Sequence, residues 1–183
     1  MRELHRTLFA ERPHRVGSGI TVIKARPIRR SLRYPGTIMR NLSVPSDTLV
    51  GHVVYEDLPR AIEFLCRAFG FREHFRYGPP DAPQGAQLLL EGACIMVRTA
   101  RAGSSSPARC GCMTQSLTVF VEGIDAHYEH AKAADGVKIV EELHETEYGE
   151  RQYGAVDLEG HHWLFAWHAR DVAPQEWGAI VSH

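Results

Sequence analysis

Two stretches of the chain place apolar and polar residues in the same order. Val53 to Phe71 reads VVYEDLPRAIEFLCRAFGF, and Val119 to Val137 reads VFVEGIDAHYEHAKAADGV. At an offset of 66, Glu56 pairs with Glu122, Leu58 with Ile124, Glu63 with Glu129, Ala68 with Ala134 and Gly70 with Gly136. Each copy predicts an apolar strand, a turn and a helix of about three turns closed by glycine. Asp57 suits an N-cap, and Pro59 is tolerated in the first turn. Ile62, Leu65 and Phe69 recur at i, i+3 and i+7, which gives that helix one apolar face.

Strand signals follow each helix. In the first copy QLLLEGACIMV carries a two-residue Glu91-Gly92 turn between apolar runs; in the second, YGAVDLEGHHWLFAW carries Glu159-Gly160, at an offset of 68. Two apolar runs around such a turn predict a hairpin. Each copy therefore reads β-α-β-β-β. Between them ARAGSSSPARCGCMT (100–114) reads as a flexible connection. Neither copy alone covers its own sheet. Two copies paired about a pseudo-twofold axis do so, with the free sheet faces curving round a shared cavity.

Composition narrows the classes. The 183 residues are 44% apolar and 23% charged, with a formal net charge of −1. No apolar run approaches a membrane span, and the start lacks the apolar core of a secretory leader. The near-neutral total gives no support for a nucleic-acid binder. It is also a cancellation. Residues 1–48 hold ten Lys/Arg against three Asp/Glu (net +7), and residues 49–183 hold eleven against nineteen (net −8). Pro27 and Pro35 forbid a continuous helix in RPIRRSLRYPG, so residues 1–47 are expected to be a poorly ordered basic extension. It reads as a start assigned too early, with Met39 as the true one, as an organelle transit peptide, or as a partner-binding tail.

The second copy carries the more specific signature. Tyr148, Gly149, Arg151, Tyr153, Asp157, Glu159, Gly160, His161 and Trp163 in EYGERQYGAVDLEGHHWLFAW resemble the C-terminal half of the vicinal oxygen chelate superfamily, the glyoxalase/bleomycin-resistance/dioxygenase group. Leu158 stands where proline is usual. The resemblance is nearest to PhnB-like, glyoxalase-like members and covers residues 48–178. It implies an α+β fold of two tandem βαβββ modules (48–99 and 114–170, with a linker at 100–113 and a tail at 179–183). These form a curved mixed sheet around a ligand cavity, commonly in a homodimer.

In metal-dependent members the resemblance implies His, Gln or Glu ligands on the first and last strands of each module. The matching positions here are Val50, Met96, Ser116 and Leu164. A divalent ion needs imidazole or carboxylate donors, so the usual metal site is expected to be absent. Strand alternation extends the set. If those four face the cavity, so do His52, Val54, Cys94, Arg98, Thr118, Phe120, His162 and Ala166. The opposite parity (Val53, Tyr55, Ile95, Val97, Leu117, Val119, Val121, Trp163, Phe165, Trp167) is almost wholly apolar and suits the face packed on helices. The candidate ligand-binding residues are therefore Val50, His52, Val54, Met96, Arg98, Ser116, Phe120, His162 and Leu164.

His52 and His162 are also the candidate catalytic residues, either as an acid/base pair or as part of a displaced divalent-metal site. Their plainer reading is two hydrogen-bonded pocket histidines. Arg98 offers a planar fork to an anionic ligand, or is solvated at its strand end. Arg151 and Asp157 read as a structural salt bridge, a loop clamp or substrate contacts, and Tyr148 and Tyr153 as mouth or packing residues. The acidic run Glu141, Glu142, Glu145, Glu147 and Glu150 reads as a solvated loop. Cys66 and Cys94 read as small buried hydrophobes, and Cys110-Gly111-Cys112 is shorter than the usual C-x-x-C redox or zinc arrangement. Four cysteines without a secretory leader suggest a reducing cytoplasm.

The expected function is binding of a small, partly apolar organic molecule between the modules, with no cofactor. A lyase, isomerase or dioxygenase of the same superfamily is the enzymatic alternative, and a regulatory interaction module the third. No membrane or nucleic-acid partner is expected.

Overall fold

The computed structural model describes residues 49–181, so the basic extension lies outside the described residues. The first module runs β1 (Gly51–Tyr55), α1 (Leu58–Phe69), β2 (Arg72–Tyr77), β3 (Gly85–Leu90) and β4 (Ala93–Thr99). A short helical turn, α2 (Pro107–Cys110), precedes the second, which runs β5 (Ser116–Phe120), α3 (Ile124–Ala133), β6 (Lys138–Glu145), β7 (Glu150–Val156) and β8 (His162–His168). The sheets have matching orders, β1-β4-β3-β2 and β5-β8-β7-β6. In each the first strand lies parallel to the last, and the other pairs are antiparallel. Among the described residues no helix is long and apolar enough to cross a membrane.

The α1 helix follows its expected caps. The Asp57 carboxylate accepts from the Arg60 amide, and Gly70 closes the helix at φ +73°, a left-handed value that favours glycine. Its apolar stripe (Ala61, Ile62, Leu65, Ala68, Phe69) is buried. The α3 helix departs from the expectation. It ends at Ala133 with an extended Ala134 cap, and Gly136 takes its positive φ of 85° two residues later. Two further expectations are corrected. The connection 100–114 is not a free linker, because α2 is tied to both modules: the Ala108 amide donates to the Glu159 carbonyl and the Ser106 amide to the Glu56 carboxylate. The acidic run is not a loop, since Glu141, Glu142 and Glu145 lie on β6 and Glu150 on β7.

One apolar core joins the modules. Phe69 of α1 packs at a tilt against Trp163 and Phe165 of β8 at centroid distances of 6.0 and 4.9 Å, and Phe71 meets Trp163 at 5.5 Å. Burying an aromatic side chain of this size stabilises the fold by roughly 1.5–3 kcal/mol. His127 of α3 sits at the seam. Its Nε2 lies 3.1 Å from the Phe69 carbonyl and its Nδ1 2.8 Å from the Tyr153 hydroxyl. A carbonyl only accepts, so Nε2 carries the proton and Nδ1 receives the tyrosine's.

The turn at residues 157–161 makes the polar seam. Asp157 is buried and accepts four hydrogen bonds, from Tyr55 Oη (2.6 Å), Trp163 Nε1 (3.0 Å) and the Glu159 and His161 amides (both 3.0 Å). Glu159 reaches across to the start of α1, where its two oxygens accept the Glu56 and Asp57 amides at 2.7 and 2.9 Å. A carboxylate at a helix N-terminus is also favoured by the helix dipole. His161 Nε2 donates to the Val54 carbonyl at 2.8 Å. Replacing Asp157 by Ala strands Tyr55 and Trp163 donors in the core, so urea unfolding of D157A should show a loss of about 3 kcal/mol or more. Tyr55→Phe removes one donor and leaves three, so its loss should be about 1–2 kcal/mol.

Candidate functional site

The alternation read from the sequence holds along the strands. Val53, Tyr55, Ile95, Val97, Val119, Val121, Trp163 and Phe165 are all buried in the core. Two of the set depart from it: Leu117 is only half-buried against the core, and Trp167 is 39% exposed. On the other parity Cys94 and Ala166 are buried although they share strands with exposed neighbours. The remaining predicted residues lie at the surface of the two sheets. His52, Ser116 and Phe120 are exposed, and Val50, Val54, Met96, Arg98, His162 and Leu164 are half-buried.

The register fixes which of them are neighbours. On the first sheet His52 pairs with Met96, and Met96 with Gln87; Val54 pairs with Arg98, and Arg98 with Gly85. On the second, Ser116 pairs with His162, Thr118 with Leu164 and Phe120 with Ala166. The nine residues thus form two groups, one on each sheet, and His52 and His162 stand on different sheets. Contacts between the modules are made by the apolar faces and by the 157–161 turn. Two concavities lie beside the predicted set, and of the nine residues only Phe120 lines one of them. One of about 870 Å³ lies among Glu56–Pro59, Asp81–Gln84 and Thr99–Arg101. The other, about 400 Å³, lies among Glu91, Gly92, Phe120–Glu122, Trp167 and His168.

Each mixed face has a polar centre that residue type alone did not reveal. Gln87 is fully buried, with Oε1 2.7 Å from His74 Nδ1 and Nε2 3.8 Å from the Met96 sulfur. Beside it, a Cβ at Gly85 would overlap the Tyr77 ring, so the missing side chain lets that ring lie over Gly85, the strand partner of Arg98. The Arg98 Nε is itself buried and has no hydrogen-bond partner. On the second face Gln152 is buried, donates to Glu141 at 2.8 Å and accepts from the Tyr148 hydroxyl at 2.8 Å. Tyr148 packs edge-on against Trp177 at 5.8 Å, in the 3-10 turn Pro174–Trp177. A polar residue within the apolar run QLLL, on the parity of Met96, was the available signal for Gln87. Arg151 forms a bidentate pair with Asp125 at 2.6 and 3.2 Å, and Tyr153 is fully buried in the core. Both residues are therefore structural.

With this architecture in place, residues 48–165 match the Glyoxalase/Bleomycin resistance protein/Dioxygenase superfamily. The chain belongs to that superfamily. An uncharacterized protein of Mycobacterium bovis is 30% identical over 138 residues, covering 72% of this chain and 90% of its own. The crystal structure of TioX from Micromonospora sp. ML1 aligns with a TM-score of 0.56 at 32% identity, over 66% of this chain and 97% of TioX. A superfamily member from Alicyclobacillus acidocaldarius, 16% identical with a TM-score of 0.50 over 69% of this chain and 95% of its own, shares the fold.

The superfamily's metal positions can be tested on the donor set. Met96 lies beside His52, Ser116 beside His162 and Leu164 beside Thr118, which supplies no carboxylate and no converging imidazoles. Among the described residues no three His, Cys, Asp or Glu side chains gather as a metal ion requires. Among the described residues, those at these four positions offer no imidazole or carboxylate to a divalent ion.

Two histidines outside the predicted set are tuned in opposite directions. Burial, acting before the Phe69 carbonyl contact, pushes the His127 ring below its ordinary value. Hydrogen bonds from His168 to Asp171 (2.7 Å) and Glu150 (3.1 Å) raise His168 above it. The signs follow from linkage. The His127 contribution to stability is fully present above its unfolded value, near 6.5, and is lost as pH falls toward the folded one; that of His168 is present below about 6.5 and lost as pH rises through its folded value. An NMR titration of the histidine rings should place the His127 midpoint below about 6.5 and the His168 midpoint above it.

Proposed function

We propose that this protein binds a small, partly apolar organic anion on the mixed sheet faces without the superfamily's usual metal. The observation that carries the reading is Arg98. Its Nε is buried without a hydrogen-bond partner, and its strand partners are Val54 and Gly85, in a face that otherwise offers Met96 and the satisfied Gln87. A guanidinium in that state favours a carboxylate-type ligand, which its planar fork matches with two parallel hydrogen bonds. Val50, His52, Val54, Met96 and Arg98 form one wall of the site; Ser116, Phe120, His162 and Leu164 form the other.

The domain carrying this activity is residues 48–178, with modules 48–99 and 114–170. The exposure of Phe120, at 55%, supports a cavity closed by pairing the faces of two chains in a homodimer. The cytoplasm is the compartment proposed, since the four cysteines form no disulfide in the structure.

Calorimetry with matched aromatic carboxylates and their neutral amides tests the proposal. Carboxylates should bind at least about tenfold more tightly than amides, about 1.4 kcal/mol. Arg98→Leu should erase that preference, and Arg98→Lys should retain part of it. Equal affinity for both series, or an undiminished preference in a folded Arg98→Leu protein, would contradict it.

A further inference from the structure

The sequence places two cysteines one residue apart in the segment joining the modules, and the structure brings their sulfurs together. Cys110 is the last residue of α2, and Gly111 closes that turn at φ +71° with its amide donating to the Pro107 carbonyl at 2.9 Å. The left-handed residue turns the chain back on itself. Cys112 therefore lies over Cys110, with Sγ atoms 3.2 Å apart and Cys110 Sγ 3.0 Å from the Cys112 carbonyl. Both side chains are exposed, whereas Cys94 is buried and Cys66 half-buried.

We infer that Cys110-Gly111-Cys112 is a reversible dithiol–disulfide site that exchanges with low-molecular-weight disulfides. The two sulfurs are already adjacent, so closing the ring requires only the last approach, and an added Cβ at Gly111 would meet nothing within 4 Å. Both thiols are open to a small reagent. The turn beneath them is anchored: the Ala108 amide is held by the Glu159 carbonyl, the Ser106 amide by Glu56, and the Arg109 guanidinium lies 3.6 Å from Glu56. Cys110 is thus presented on a fixed turn, while Cys112 follows the last hydrogen bond of α2. The pair is also asymmetric. A hydrogen bond from Cys112 lowers the Cys110 thiol below its ordinary value, and the same contact raises Cys112. This makes Cys110 the attacking sulfur and Cys112 the resolving one.

In the first step the Cys110 thiolate attacks one sulfur of the small disulfide. The S–S bond breaks and a small thiolate leaves. In the second, Cys112 gives up its proton and attacks the Cys110 sulfur of the mixed disulfide, expelling the second small thiolate. Two protein thiols are oxidised to one disulfide, the small disulfide is reduced to two thiols, and the two protons end on those products.

Intact mass spectrometry of the full chain, equilibrated in mixtures of reduced and oxidised glutathione, tests this. The wild-type protein should lose two hydrogens and carry no glutathione adduct, and peptide mapping should find Cys110 linked to Cys112. The Cys112→Ser protein should stop at the first step and retain one glutathione on Cys110, released by excess reduced glutathione. Stable adducts on the wild-type pair, links between chains in place of the internal one, or two thiols still reduced in oxidised glutathione would each overturn the inference. Circular dichroism of both proteins reports that the fold is kept.

Discussion

The turn from Asp157 to His161 is the contact on which both modules depend. Its buried carboxylate satisfies a tyrosine from the first module, a tryptophan from the second and two of its own amides. Two residues on, Glu159 takes the free amides at the start of α1, a helix from the other half of the chain. Burial and the nearby Asp157 carboxylate both push the Tyr55 hydroxyl well above its ordinary value, so it stays a donor at any pH the protein meets. Such a cluster is worth keeping only when every member is satisfied, and here each of these groups has its partner. The orientation of β1, the start of α1 and the placement of α2 all follow from it.

The internal repeat makes the uniqueness of that turn visible. The pseudo-equivalent of Glu159 is Glu91, and that of Glu56 is Glu122. Glu91 does not cap α3; it sits exposed at φ +51°, and where the clamp would be there is a concavity of about 400 Å³ lined by Glu91, Glu122, Trp167 and His168. The sheets differ in the same way. Gln87 and Gly85 occupy the third strand of the first sheet, and Gly154 and Gln152 appear on β7 in the reverse relation to the last strand. The two faces have therefore diverged: one presents the unpartnered Arg98 Nε, the other a Tyr148–Gln152–Glu141 relay.

Period and parity made the two-module fold and the separation of core from mixed faces legible, because strand alternation is imposed by covalent geometry. Val53, Tyr55, Val97, Trp163 and Phe165 fell in the core for that reason. What stayed hidden depends on partners far apart in the chain. Asp157 looks like a turn residue until Tyr55, 102 positions away, is placed against it. The anchoring of α2 and the meeting of Cys110 with Cys112 required the path of a segment whose composition reads as a loose connection. Trp167 and Leu117 share the parity of the core without being buried in it, which alternation does not encode.

We propose that a chelating fold has been turned to ligand binding through shape and a guanidinium, in place of a metal. Its metal positions offer Val50, Met96, Ser116 and Leu164, none of them a donor suited to a divalent ion. Elemental analysis of the purified full-length protein, prepared without chelators or an affinity metal, tests this most directly. Ni, Zn, Mn and Fe should all be far below one equivalent per chain, before and after incubation with each ion and desalting. One tightly held equivalent of any of them would contradict it.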